Sequence, residues 1–418
     1  MKKSNKLNQW LWRWHFIAGL VSLPFIIVLS VTGGIYLFKD KYEKPIHEPI
    51  KKVEVAGTPI SYQEQWEIAN EKMPKKPNSM VVPADNDRAT EFVSGRFSHK
   101  SSLFVNPYTG EVSGTINAND GFMYKVRKLH GELLMDGFGT KIVELVASWL
   151  IVLILTGVYV FWPSRKRGVK AFFVPRIAEG KRTFFRDVHA ISGFWISGLL
   201  LLVLAGAFPW TDVVGENFKW VQQVTNTGFP KTWMGIGITS ETANTEIGLD
   251  AMVDKAKSLH LKGEVSIDFP KGKNGVYGVG NTYYQDLGIQ KKYHFNRFTG
   301  EEVLQQDWSE VGVLMRGRMW VMAFHQGQFG AWNWYLMLMV AILMASTSIS
   351  ALISYSLRKS KGSWGVPKVP KKFNVGYGIV VAIFLLGILF PLFGLSLILI
   401  LIGFQVKKRN EKKHMATA

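Results

Sequence analysis

Four apolar stretches decide what this chain can become: residues 16–38, 142–162, 190–210 and about 330–352. At about 1.5 Å of rise per helical residue, each reaches across a hydrocarbon core about 30 Å thick. A chain inside such a core must satisfy its own backbone polar groups, so four spanning helices are expected. A fifth apolar region, 375–404, is interrupted by "FPLFG" at 390–394. It reads as one kinked span or as two short helices around a turn. The basic "KKRNEKKH" that follows favours an inside terminus and hence the helix pair.

The net charge of +19 on 418 residues fits the same membrane reading. Segments 163–186 and 356–372 are dense in Lys and Arg, and the positive-inside rule places both in the cytoplasm. The basic runs hug membrane boundaries and no nucleic-acid-binding module accompanies them, which excludes a nucleic-acid partner and leaves the lipid membrane. Lys2, Lys3 and Lys6 give the first span the look of a signal peptide. Its apolar run is too long for one and lacks a small-residue cleavage site, so the chain is expected to start inside and stay anchored.

The expected organisation follows. Residues 1–39 form the cytoplasmic start and first span, 40–125 a first outer domain, and 126–162 an approach and second span. Residues 163–186 form a basic loop, 187–210 the third span, 211–318 a second outer domain, and 319–355 an approach and fourth span. A linker (356–372), a terminal membrane region (373–406) and a basic tail (407–418) complete the chain. The outer segments share a layout of one helix ("SYQEQWEIANEK", "GLDAMVDKAKS") and then strands ending in "NPYTGEV" or "NRFTGEEV". Each ending suits a turn with its glycine in the left-handed region. The fold class expected is an α-helical integral membrane protein with duplicated span-domain-span halves, a parallel repeat, and two small α+β outer domains. There is no cysteine, so those domains hold together by packing alone.

The histidines obey the repeat. His15 in "WHFIAGL" and His189 in "VHAISGF" open the first span of each half, while His130 in "LHGELLMDGFG" and His325 in "FHQGQFG" stand on the approach to the second. Topology puts one pair near each face. Imidazole in a membrane is costly unless neutral and paired. Two imidazoles make a poor zinc site but a natural axial pair for a haem iron, held without covalent attachment because no Cys-x-x-Cys-His occurs. Two b-type haems are the expectation, one on His15 and His189 and one on His130 and His325. The plainer alternative is four interfacial histidines bonded to backbone or headgroups. Arg13, Arg127, Arg186, Arg316 and Arg318 lie near the pairs, where they would meet haem propionates. Arg13 and Arg186 also satisfy the inside-charge rule. Trp10, Trp12, Trp14, Trp320, Trp332 and Trp334 line a haem edge or form interface belts. Glu144, one turn into the second span, is expected to be solvated at the interface, and "MLMVAILM" to face lipid or pack.

"LWRWHFIAGLVSLPF", "LHGELLMDGFG", "DVHAISGFW" and "FHQGQFGAWNWY" resemble the PepSY-associated transmembrane proteins, and "VNPYTGEV" resembles the strand signature of PepSY domains. The resemblance covers nearly the whole chain and points to the FoxB-like siderophore-iron reductases of the bacterial inner membrane. It implies periplasmic PepSY domains, and haems on His15, His130, His189 and His325. It further implies an oxidoreductase that reduces a periplasmic ferric siderophore or other ferric chelate. No dinucleotide fingerprint is present, so the electron donor is an unidentified cytoplasmic or membrane partner. The catalytic contact to substrate is unassigned. Two rivals are a siderophore permease, for which discontinuous spans would line a passage, and a non-enzymatic PepSY-domain anchor that binds or inhibits a peptidase.

Overall fold

The structure is a computed structural model that describes residues 2–417 except 97–98, 163–167, 242, 244, 360–361 and 371–372. The helices run α1 Lys2–Tyr36, α2 Lys39–Lys51, α3 Tyr62–Lys72, α4 Phe122–Glu132, α5 Asp136–Phe161 and α6 Lys181–Ala207. They continue as α7 Val213–Val224, α8 Leu249–Ser258, α9 Val313–His325, α10 Ala331–Arg358, α11 Tyr377–Leu389 and α12 Pro391–Thr417. The strands are β1 Ser79–Val81, β2 Thr90–Ser94, β3 Ser101–Val105 and β4 Val112–Asn117, then β5 Glu264–Asp268, β6 Val276–Thr282, β7 Lys291–Asn296 and β8 Glu302–Asp307. Two compact units result, a helical one (Met1–Ile35, Arg127–Trp220, Tyr335–Ala418) and a sheet one (Tyr36–Val126, Val221–Trp334).

In the helical unit, five helices among the described residues are long and apolar enough to cross a membrane: the four expected, and Pro391–Asn410. The terminal region is broken at Phe390, between α11 and α12. At 13 residues α11 covers about 20 Å, too short to span alone. Gly387 and Gly394 make the break compact, because a Cβ on Gly394 would sit 2.7 Å from the Gly387 carbonyl oxygen. Phe393 packs edge-on to Trp149 of α5 at 4.9 Å, and Trp149 Nε1 donates to Ser396 at 3.2 Å. Of the methionines in "MLMVAILM", Met337 and Met344 are buried and Met339 is exposed.

The sheet unit departs from the expectation of two separate domains. Its strands form one open antiparallel sheet in the order β4-β3-β2-β1-β5-β6-β7-β8. The join is β1 with β5, pairing Ser79 with Asp268, Met80 with Ile267 and Val81 with Ser266. Both strands are short and apolar at the centre, so each would expose an unpaired edge if left alone, and pairing removes both edges at once. Met80, Phe92, Leu103, Val105, Ile267, Val279, Tyr293 and Phe295 alternate onto one face, where Ala69 of α3 and Met252, Val253 and Ala256 of α8 cover them. The two endings take the turn expected of them. Gly110 (φ 71°) and Gly300 (φ 67°) are left-handed, each donating to its Asn carbonyl at 2.9 Å. The Asn106 and Asn296 side chains accept from Tyr108 and Phe298 backbone N–H at 2.9 and 2.8 Å.

Candidate functional site

Three of the four repeated histidines fall in the helical unit, and each rests against a threonine of another helix. Thr156 of α5 gives its hydroxyl proton to the Val152 carbonyl at 2.6 Å, so at 3.0 Å from His15 Nδ1 it can only accept. Nδ1 of His189 lies 3.0 Å from the Thr347 carbonyl on α10. Nδ1 of His130 lies 3.0 Å from the Leu29 carbonyl and 3.1 Å from the Thr32 hydroxyl on α1, and that hydroxyl donates to Val28 at 2.6 Å. A carbonyl cannot donate, so all three rings carry their proton on Nδ1 and present Nε2 with its lone pair. A metal-ligating histidine is oriented in this way by its outer partners.

Glycines make the seats. A Cβ on Gly157 would stand 3.1 Å from His15 Cε1, and one on Gly33 3.0 Å from His130 Cε1. Thr32-Gly33 and Thr156-Gly157 are thus one device used twice, the threonine accepting the ring proton and the glycine clearing the ring edge. The His15 and His189 rings are half-buried, their centres 6.1 Å apart with planes at 68°.

The His130 helix ends abruptly. Leu133, Leu134 and Asp136 have φ of 48°, 60° and 51°, a sparsely populated region for such residues. Lys128 ties the corner to Glu132 and Asp136, and hydrogen bonding to Asp136 and then Glu132 holds its ammonium above the ordinary lysine range. In the sheet unit, His325 closes α9. The loop after it is fixed by Asn333, fully buried, which donates to the Phe324 carbonyl at 3.0 Å and accepts from Phe329 N–H at 3.1 Å.

The candidate arginines are engaged in several ways. Arg13 donates to the Pro367 carbonyl, and Arg127 pairs with Glu132 at 3.8 Å. Arg186 meets Asp187 at 3.1 Å, Arg316 is half-buried, and Arg318 is buried with Nη1 3.4 Å from Gln222 Oε1. Arg176 is a cation the sequence did not distinguish within its basic loop. It makes two parallel 2.8 Å bonds to buried Asp187, whose hydrogen bonding raises the arginine's pKa. That pair anchors α6 at Asp187, two residues before His189. Arg165 of the same loop lies outside the described residues. Trp12, Trp320 and Trp332 are exposed, as an interface belt requires, whereas Trp334 donates to the Leu37 carbonyl at 2.7 Å.

Glu144 is not solvated. It is fully buried and accepts from the backbone N–H of Val213 at 2.8 Å and of Val214 at 3.2 Å, capping α7. Among the described residues no group of three or more His, Cys, Asp or Glu side chains is placed to hold a metal ion. A two-ligand arrangement is what the imidazoles offer.

A family model described as the PepSY-associated TM region matches residues 12–358. The chain belongs to that family. The match runs from the tryptophans before His15 to the end of α10, so it takes in all four repeated histidines and the whole sheet unit, while α11 and α12 lie beyond it. No curated protein matches the chain.

Proposed function

We propose that this PepSY-associated membrane protein is an inner-membrane di-haem oxidoreductase. It would pass single electrons from a cytoplasmic or membrane donor to a ferric siderophore or similar chelate in the periplasm. The observation that carries the reading is the His15 and His189 pair. His15 and His189 would hold the iron of a b-type haem through Nε2. The two ring centres stand 6.1 Å apart, and Nδ1 of each ring is already bonded to protein, which leaves both Nε2 atoms for a shared ligand. The residues present therefore fit the group. His130, held through Nδ1 as His15 is, would serve a second b-type haem with His325, as the repeat implies. A bound haem supplies reversible one-electron chemistry at iron. The chain's own residues set the rings, clear space beside them through Gly33 and Gly157, and keep Nε2 deprotonated. Duplication of span, domain and span accounts for the matching histidines and turns in the two halves.

Fold and family support more directly a non-enzymatic PepSY-domain anchor that binds or inhibits a peptidase, since the sheet unit and the spans need no cofactor in that role. The helix break at Phe390 is what a permease reading draws on. Neither gives the three seated imidazoles a task. The visible spectrum of the purified protein separates the readings. The reductase is expected to show a reducible Soret band with sharp α and β bands, and a pyridine haemochrome assay to return two acid-extractable haems per chain. A folded, colourless protein would overturn the reductase and leave the anchor and the permease. Orientation has its own test: reporter fusions after Asp40 and Asp212 are expected to report the periplasm and one near Gly168 the cytoplasm, and the inverse pattern would reverse the electron path.

A further inference from the structure

The sheet unit holds a second site that owes nothing to the haem reading. Asp268, Gly278 and His294 are register partners across β5, β6 and β7, on the face opposite the α3 and α8 helices. A cavity of about 250 Å³ opens on this face, lined among others by Asn78, Arg96, Met234, Asp268, Lys271 and His294. That is just below the roughly 300 Å³ at which small-molecule pockets begin, room for a small ligand or for one end of a larger one.

His294 is the anomaly. It is 1 % exposed and neither ring nitrogen makes a full hydrogen bond, the Thr232 backbone giving only weak support; a buried polar group left without a partner costs about 1–3 kcal/mol. The other half of the sheet shows that the position does not need a polar side chain. Counting back from the shared turn asparagines, Phe104 stands where His294 does, immediately before the same register shift. Phe104 packs in an apolar cluster with Val53 and Ala89. One half fills the place with a benzyl group; the other sets a weakly held imidazole at a cavity.

The surrounding charge says what would satisfy it. Asp268 is already taken by the buried Lys292 ammonium at 2.6 Å. Glycines admit that lysine, since a Cβ on Gly280 would meet its Cδ at 2.9 Å. Arg96 and Lys271 line the same cavity and are exposed. Among the described residues these are the charged groups that line the cavity or pair with one that does, three cations to one anion. We infer that the cavity is a binding site for a small oxyanion, a carboxylate or a phosphate, with Arg96 and Lys271 at its mouth and His294 as the buried donor.

Burial first, and Lys292 second, lower the His294 pKa to about 4, against weaker raising effects of Asp268 and the Thr232 backbone. The free ring is therefore neutral above that pH. An anion beside it favours the charged form, so binding draws in a proton and affinity strengthens as pH falls from 8 towards 5.

The test is calorimetric titration of the full chain in detergent with citrate and with inorganic phosphate, each in two buffers of different ionisation enthalpy. One of the anions is expected to bind with net proton uptake, and the tighter one names the source as carboxylate or phosphate. His294→Gln should weaken binding at least tenfold and abolish the part of the proton uptake that exceeds the ligand's own. Arg96→Gln and Lys271→Gln, surface changes that leave folding alone, should each weaken it severalfold. No binding of either anion, or binding untouched by all three substitutions, overturns the assignment. So does a neutral polyol binding as well as citrate.

Discussion

Replacing His15 or His189 with alanine is expected to remove one haem of two completely, and the same haem in both cases. His130→Ala and His325→Ala should remove the other. On the proposed reading each ring would supply one of two nitrogens to a haem iron, and among the described residues no group of three or more His, Cys, Asp or Glu side chains is placed to hold a metal ion in its stead. Anaerobic stopped-flow spectra with donor and ferric chelate added separately locate the break. A His15 or His189 variant should keep the other cofactor and lose reduction by the natural donor. A His130 or His325 variant should accept an electron from that donor but fail to turn over the chelate. The seats provide a graded control. Thr156→Val removes the acceptor for His15 Nδ1, and losing such an outer partner costs about 10- to 100-fold in metal affinity. Gly157→Val pushes a branched side chain towards a ring edge only 3.1 Å from its Cβ. If losing His130 and losing His189 abolish the same single haem, the pairing is wrong. If all four histidine variants reduce the chelate at the parental rate, the membrane electron path is wrong.

What could be read in the sequence divides by distance along the chain. Span length, the Asn-to-Gly turns and the recurrence of His15 and His189 after equal topology are local patterns, and the helices and turns appear where those patterns put them. The threonine seats are not local. Thr156 meets His15 across 141 residues and Thr32 meets His130 across 98, so neither "VTGG" nor "LTGV" marks its threonine as the partner of a histidine. The joining of β1 to β5 is hidden for the same reason: each short strand has the composition of an edge, and its partner is almost 190 residues away. His294 is not legible in the sequence, because a single histidine in a strand has no periodicity to mark it. Its meaning lies in the contrast with Phe104, which needs the register of both halves.

Glu144 shows the same limit and supports the largest stability change expected of a single side chain in the helical unit. Its position one turn into a span suggested an interface residue, because sequence gives the depth of a carboxyl group but not its acceptors' partners. In the structure both oxygens are committed, one to each of the first two N–H groups of α7. These are donors that no carbonyl within the helix can reach. Glu144→Ala strips two bonds from a fully buried group and leaves the donors without a partner, at about 1–3 kcal/mol for each, so a loss of about 3 kcal/mol is expected. Glu144→Gln keeps one acceptor but turns an NH₂ towards the second N–H, and should cost roughly half as much. The measurement is the thermal midpoint in detergent together with hydrogen exchange over residues 213–216. Both variants should melt earlier in that order, with exchange at the start of α7 accelerating before the rest of the helix. A Glu144→Ala protein that melts with the parent and protects Val213 and Val214 equally well would show that α7 is held by its packing and not by this cap.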